Sequence, residues 1–285
     1  MTDARGAGRA AALALAVLLA CVGCGAPGAA ASAGGLQGAA SAARAADIGA
    51  PVAAPGSDFH RLVSLGDSVP AGVGCDCDAF PALIAAALTT AQGRPVEAVD
   101  DAVSGLTASD LAAQLSTDGD EDVRADVAGA DLVVITVGAN DVVEQADITA
   151  DDGSGAGGET TCDASCFGPI TERVATLVGD DAAAVRRLNP TARIVVTSYW
   201  NVFPDGADVV PDATRRAWTS AVTGSFNSDL ETVARRDGLT YADLSAPFSR
   251  DGSADPGPLL LDDGDHPDSA GHRVIAQAVL DALAG

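Results

Sequence analysis

Lysine is absent from this chain. All 16 basic residues are arginine, set against 40 acidic ones, for a formal charge of −24. A surface so acidic repels phosphate backbones, which argues against a nucleic-acid partner. It suits a protein kept soluble outside the cell. Aromatic residues make up only 4%, too few for a stacking platform along a polysaccharide or a single strand. Beyond the N-terminus no uncharged apolar run is long enough to suggest a membrane span. Core material is ample, however. Hydrophobic residues reach 47% in a length of 285, which suits one sizeable α/β domain with a tail.

The tail reads as an export signal. Arg5 and Arg9 precede the apolar run from Ala10 to Val22, a positive n-region followed by an h-region. At about 13 residues the run falls short of the roughly 20 that span a bilayer. Residues 1–24 are therefore expected to be a signal peptide. Leu18-Leu19-Ala20-Cys21 and Val22-Gly23-Cys24 resemble bacterial lipoprotein cleavage boxes, making Cys21 and Cys24 lipidation candidates. The alternative is ordinary cleavage in the alanine-rich stretch beyond. Residues 25–57, rich in Ala, Gly, Ser and Pro, cannot bury enough surface to fold and read as a flexible linker. The folded domain is expected over 58–285. The protein is then extracellular, either secreted or held to the outer face of the membrane by an N-terminal lipid, and expected to be a monomer.

From Arg61 onward, short apolar runs alternate with helical patterns. Strands are expected over Arg61–Leu65, Pro95–Val99, Asp131–Val137, Arg193–Thr197 and Leu239–Ala242. Helices are expected near 79–91, 107–115 with Thr107 as N-cap, 170–188, 213–236 and 269–283. Strands separated by helices, with no hairpin signal, imply right-handed crossovers and a parallel sheet of about five strands covered on both faces, a three-layer α/β/α sandwich. Ligands bind such sheets beyond the carboxyl ends of the strands. Gly66-Asp67-Ser68 follows the first strand, Ser104-Gly105 the second, and Gly138-Ala139-Asn140-Asp141 the third. Asp263-Gly264-Asp265-His266-Pro267 precedes the last helix.

These four blocks, in this order, resemble those of the SGNH (GDSL-type) hydrolase family, and the stretch Leu65–Pro81 with its Cys-Asp-Cys is similar to the secreted actinobacterial branch. The resemblance implies a parallel, flavodoxin-like sheet and an esterase or lipase that needs no metal or other cofactor. It implies Ser68 as nucleophile, His266 as general base and Asp263 as the group that orients the imidazole. The oxyanion would be held by the backbone N–H groups of Ser68 and Gly105 and the side-chain amide of Asn140. Each residue type meets a chemical need. A serine hydroxyl requires a base to take its proton, imidazole has the right basicity, and a tetrahedral intermediate requires converging donors. Val69 and Asp100-Asp101 depart from the family pattern. Asp262 and Asp265 flank Asp263 and read as solvated. Asp141 reads as a structural carboxylate, and His272 as a packing or surface residue.

Trp200 and Phe203 follow the fourth strand and are candidates to line the substrate pocket, or else to pack beneath it. The acidic, Gly-rich stretch Val142–Thr161 reads as a solvated loop beside the site. Four cysteines remain in the domain: Cys75, Cys77, Cys162 and Cys166. Their even number in an exported chain predicts disulfides. Pairing between the two clusters is expected, because a bridge across two residues is strained; pairing within each cluster is the alternative. Zinc is a rival disfavoured by the spacing. The expected reaction is hydrolysis of a small-molecule or lipid ester through an acyl-enzyme, with short acyl chains preferred. O-acetyl ester cleavage on carbohydrate and acyl transfer use the same residues. The rival from another class is a non-catalytic envelope binding protein.

Overall fold

The computed structural model describes residues 58–146, 164–202, 213–249 and 257–285. Its centre is a five-stranded sheet: β1 (Arg61–Gly66), β2 (Glu97–Asp100), β3 (Leu132–Thr136), β4 (Arg193–Thr197) and β5 (Thr240–Ala242). The strands lie in the order β2-β1-β3-β4-β5, every pair parallel. Every residue of β3 is buried, and β4 is buried beyond Arg193, as continuous β-branched runs covered on both faces must be. Each fully buried aliphatic side chain there contributes about 1.5–3 kcal/mol relative to exposure.

The helices are α1 (Phe80–Gln92), α2 (Ala108–Leu115), α3 (Glu121–Ala128), α4 (Ala139–Ala146), α5 (Ala164–Leu188), α6 (Ala213–Asp237), α7 (Ser245–Phe248) and α8 (Ser269–Ala284). α1 packs against α8, while α2, α5 and α6 pack together as a second group. The sheet thus forms the middle of three layers, and the expected architecture holds. Thr107 caps α2 as expected: its hydroxyl accepts from Asp110 N–H, and the Asp110 carboxylate accepts from Thr107 N–H. None of the helices is long and apolar enough to cross a membrane among the described residues.

Three elements depart from the sequence expectation. α3 and α7 fall where no helix was expected. α4 begins at the Asn140 block, so Val142 to Ala146 is helix where a loop was expected.

The disulfide expectation is overturned more sharply. Cys75 bridges to Cys77 and not to the second cluster. The turn through Asp76 holds the two Cα atoms 5.2 Å apart, well inside the usual span for a bridge. Cys166 lies within α5. Cys162, Phe203, Cys21 and Cys24 lie outside the described residues, as do the signal and linker segments.

Candidate active site

β1 and β3 are neighbours, yet β1 leads to a helix on one side of the sheet and β3 to helices on the other. This reversal opens a crevice at their carboxyl ends. Gly66 ends β1 with φ +142, and a Cβ there would lie 1.9 Å from Thr136 O. Only glycine lets β1 run so close to β3 and turn at once into Asp67 and Ser68. Asp67 N–H then donates to Thr136 O at 3.0 Å.

Beneath Ser68 lies a pair that the sequence reading missed. The Asp67 carboxylate is buried and accepts Tyr199 O–H at 2.6 Å and Val69 N–H at 3.0 Å. Burial pushes its pKa up to about 6, against the opposing pull of those two donors. Burial, with Asp67 beside it, likewise pushes the Tyr199 phenol well up. The turn that carries Ser68 is thus anchored to the loop after β4 through a polar bond inside the core.

The Gly105 loop is tied to the same place. Val103 N–H donates to Gly66 O at 2.8 Å. Gly105 is exposed in the left-handed region, φ +80, and no described residue stands within 4 Å of where a Cβ would be. Its requirement for glycine is therefore conformational within the protein, and the open space above it is where a ligand oxygen would approach. Asn140, in the first turn of α4, donates from Nδ2 to Leu106 O at 2.9 Å. An amide nitrogen carries two protons, so this bond fixes the side chain and leaves the second proton for a ligand. Asp141 is structural, as expected: its buried carboxylate accepts Ala108 N–H at 2.7 Å, binding the start of α4 to the start of α2. Burial raises its pKa despite those backbone donors.

His266 comes from the loop before α8. Its Nδ1 lies 2.8 Å from Asp263 Oδ2, and Asp263 Oδ1 accepts the backbone N–H groups of Asp265 and His266 at 2.9 and 3.0 Å. Burial alone would raise the Asp263 carboxyl, but the backbone donors and the imidazole hold it below the ordinary value. With Nδ1 paired to a carboxylate, Nε2 is the accepting nitrogen.

Two observations place this loop beside the turn that carries Ser68. His266 and Asp265 both act electrostatically on Asp67. A Cβ on Gly74, just beyond Ser68, would come within 2.9 Å of Leu261 Cδ1, while Leu261 N–H bonds to His266 O. Among the described residues Ser68 Oγ makes no hydrogen bond, to His266 or elsewhere; such bonds are often long without substrate. Asp262 is exposed as expected, but Asp265 is only half exposed, and burial raises its carboxyl.

Tyr199 and Trp200 are both buried, Trp200 stacking on Phe248 with centroids 4.4 Å apart. Trp200 also borders a cavity of about 520 Å³ with Asn201, Thr223, Glu231, Tyr241 and Asp243. Trp200 is thus a core residue, and the cavity it borders is lined by none of Ser68, Gly105, Asn140, Asp263 or His266.

The class that this fold defines is the SGNH-type α/β hydrolase. The chain belongs to the GDSL-like lipase/acylhydrolase family, whose sequence profile matches residues 64–274, and it is a carboxylic ester hydrolase. Among solved structures, a lipase from a goat rumen metagenome superposes with TM-score 0.60 at 19% identity, over 77% of this chain and 95% of its own. An extracellular lipase from Streptomyces rimosus gives 0.57 at 21%, over 77% and 98%. An acetylxylan esterase from Geobacillus stearothermophilus gives 0.55 at 18%, over 82% and 97%. At these identities the likeness is one of fold. No curated protein matches the chain in sequence.

Proposed function

We propose that this chain is an exported serine esterase acting by two-step acyl transfer. Ser68 Oγ attacks the ester carbonyl as His266 Nε2 takes its proton, and the imidazolium gives that proton to the departing alcohol. Water then attacks the acyl-enzyme with the same imidazole as base. Asp263 holds the ring in the accepting tautomer and balances its charge. The oxyanion is received by the N–H groups of Ser68 and Gly105 and the free amide proton of Asn140.

The observation that carries this reading is the Asp263–His266 pair at 2.8 Å, set on the loop that packs against the turn holding Ser68. Short acyl esters are the preferred substrates. Export, with Cys21 or Cys24 as a lipid attachment point and residues 25–57 as spacer, belongs to the same reading. An intact mass with a diacylglyceryl increment on the exported chain supports the tether, and its absence removes it. The decisive assay is hydrolysis of p-nitrophenyl acetate and butyrate by the parent and Ser68→Ala. A fall of at least about 10³-fold is expected, while equal low rates would leave a non-catalytic binding protein.

A further inference from the structure

The Cys75–Cys77 bridge lies at a junction that ester hydrolysis does not use. Both cysteines are half exposed and stand a few residues beyond Ser68, while His272 stands a few residues beyond His266 in the first part of α8. The two Sγ atoms and a ring nitrogen of His272 all lie within 4.8 Å of one another. The imidazole is fully buried. Phe80 N–H, at the start of α1, donates to His272 Nδ1 at 3.3 Å. That bond places the ring proton on Nε2, which has no hydrogen-bond partner among the described residues. Burial lowers the His272 pKa to about 4, so the ring is a neutral donor near pH 7. A buried donor without a partner costs roughly 1–3 kcal/mol.

We propose that Cys75 and Cys77 form a thiol–disulfide exchange site, with His272 as the donor that receives the thiolate released on reduction. The co-substrate class is a small dithiol or a protein dithiol. One thiolate of the reductant attacks Cys75 Sγ, the Cys75–Cys77 bond breaks, and its electron pair leaves on Cys77 Sγ. That thiolate accepts His272 Nε2–H. The second thiol of the reductant attacks the mixed disulfide and releases Cys75. Two electrons and two protons pass to the cysteine pair, and the reductant departs as its disulfide.

One feature favours departure from Cys77 over Cys75. It stands just before α1, whose N-terminus has no side-chain cap and no acidic residue in its first turn, and such an end favours a thiolate. Neutral His272 lies near both sulfurs and supplies a donor to whichever leaves. The carboxylates of Asp76 and Asp78 beside Cys77 oppose the charge, and Asp268 acts on His272 itself. His272 is therefore the group on which exchange depends.

The test uses the full chain with Cys21, Cys24, Cys162 and Cys166 replaced by Ser, so that only this pair remains. The oxidised protein is mixed with dithiothreitol at pH 7, quenched with iodoacetamide and weighed intact at intervals. His272→Leu should slow reduction at least tenfold and move the equilibrium against the dithiol by a similar factor, equivalent to about 30 mV. His272→Gln, which restores an N–H donor, should recover part of the loss. A smaller effect of His272→Leu, or no recovery in His272→Gln, overturns the proposal. A second measurement needs no variant at position 272. Thiolate absorbance of the reduced folded chain should reveal one thiol at least tenfold more acidic than in the same chain unfolded in guanidinium chloride; no such difference also overturns it.

Discussion

Tyr199→Phe removes one oxygen, and its consequence is calculable from the bond beneath the nucleophile turn. Asp67 is buried with a pKa of about 6, against an ordinary value of 3.8. A carboxyl raised in the folded state contributes its full stability below its unfolded pKa and loses it as the pH climbs through the folded value. At 1.36 kcal/mol per unit, the difference amounts to about 3 kcal/mol of stability lost between acid and neutral pH. Tyr199 O–H limits that loss by bonding to the charged form at 2.6 Å. A bond to an ionised group is worth about 1.5–3 kcal/mol, and one between neutral partners about 0.5–1.5. Tyr199→Phe should therefore cost about 1.5–3 kcal/mol at pH 8, where Asp67 is charged, and about 1 kcal/mol less at pH 5, where it is largely neutral. Urea unfolding of parent and variant at the two pH values measures this directly. An equal loss at both, or a larger one at pH 5, refutes the assignment of a charged, buried Asp67 held by the phenol.

Asp263→Asn keeps an oxygen for the two backbone donors but loses the charge facing Nδ1, so kcat should fall about 10²–10⁴-fold with the protein still folded; thermal melting and steady-state kinetics check both halves. Asn140→Ala removes an oxyanion donor and should lower kcat about 10²–10³-fold while KM moves little. Asp181 is fully buried in α5 and neither of its oxygens is bonded among the described residues, and burial pushes its pKa up to about 8. The parent should therefore lose stability as pH rises from about 4 towards 8. Asp181→Asn should flatten that dependence in urea titrations, and a variant that loses stability just as steeply refutes this placement of the charge.

The sheet was legible because its central strands are continuous β-branched runs, and its strand order only through the family resemblance. Three blocks of the candidate site were legible because each follows a strand, and the fourth because it directly precedes the last helix. α3 was not, since Glu121–Ala128 turns only Val123 and Val127 inward, too few to set a helical period. Its one usable sign was Asp120, whose carboxylate caps Asp122 and Val123 N–H. α4 was hidden because Ala139-Asn140-Asp141 has the composition of a turn. The Asp67–Tyr199 bond joins residues 132 positions apart, and no local pattern announces a contact of that range. The bridge at Cys75 was misjudged because sequence separation was weighed without the turn that closes it. Asp265 reads as solvent-facing on charge alone, and only the packing of its loop against the nucleophile turn removes its water.

The central claim is that one particular oxygen becomes acylated. Treating the protein with a fluorophosphonate and mapping the adduct by peptide mass spectrometry tests it most directly. The account predicts one adduct per chain, on Ser68, with loss of hydrolysis in step with labelling and no adduct in Ser68→Ala. Labelling of a different serine, or full inactivation with Ser68 unmodified, contradicts it.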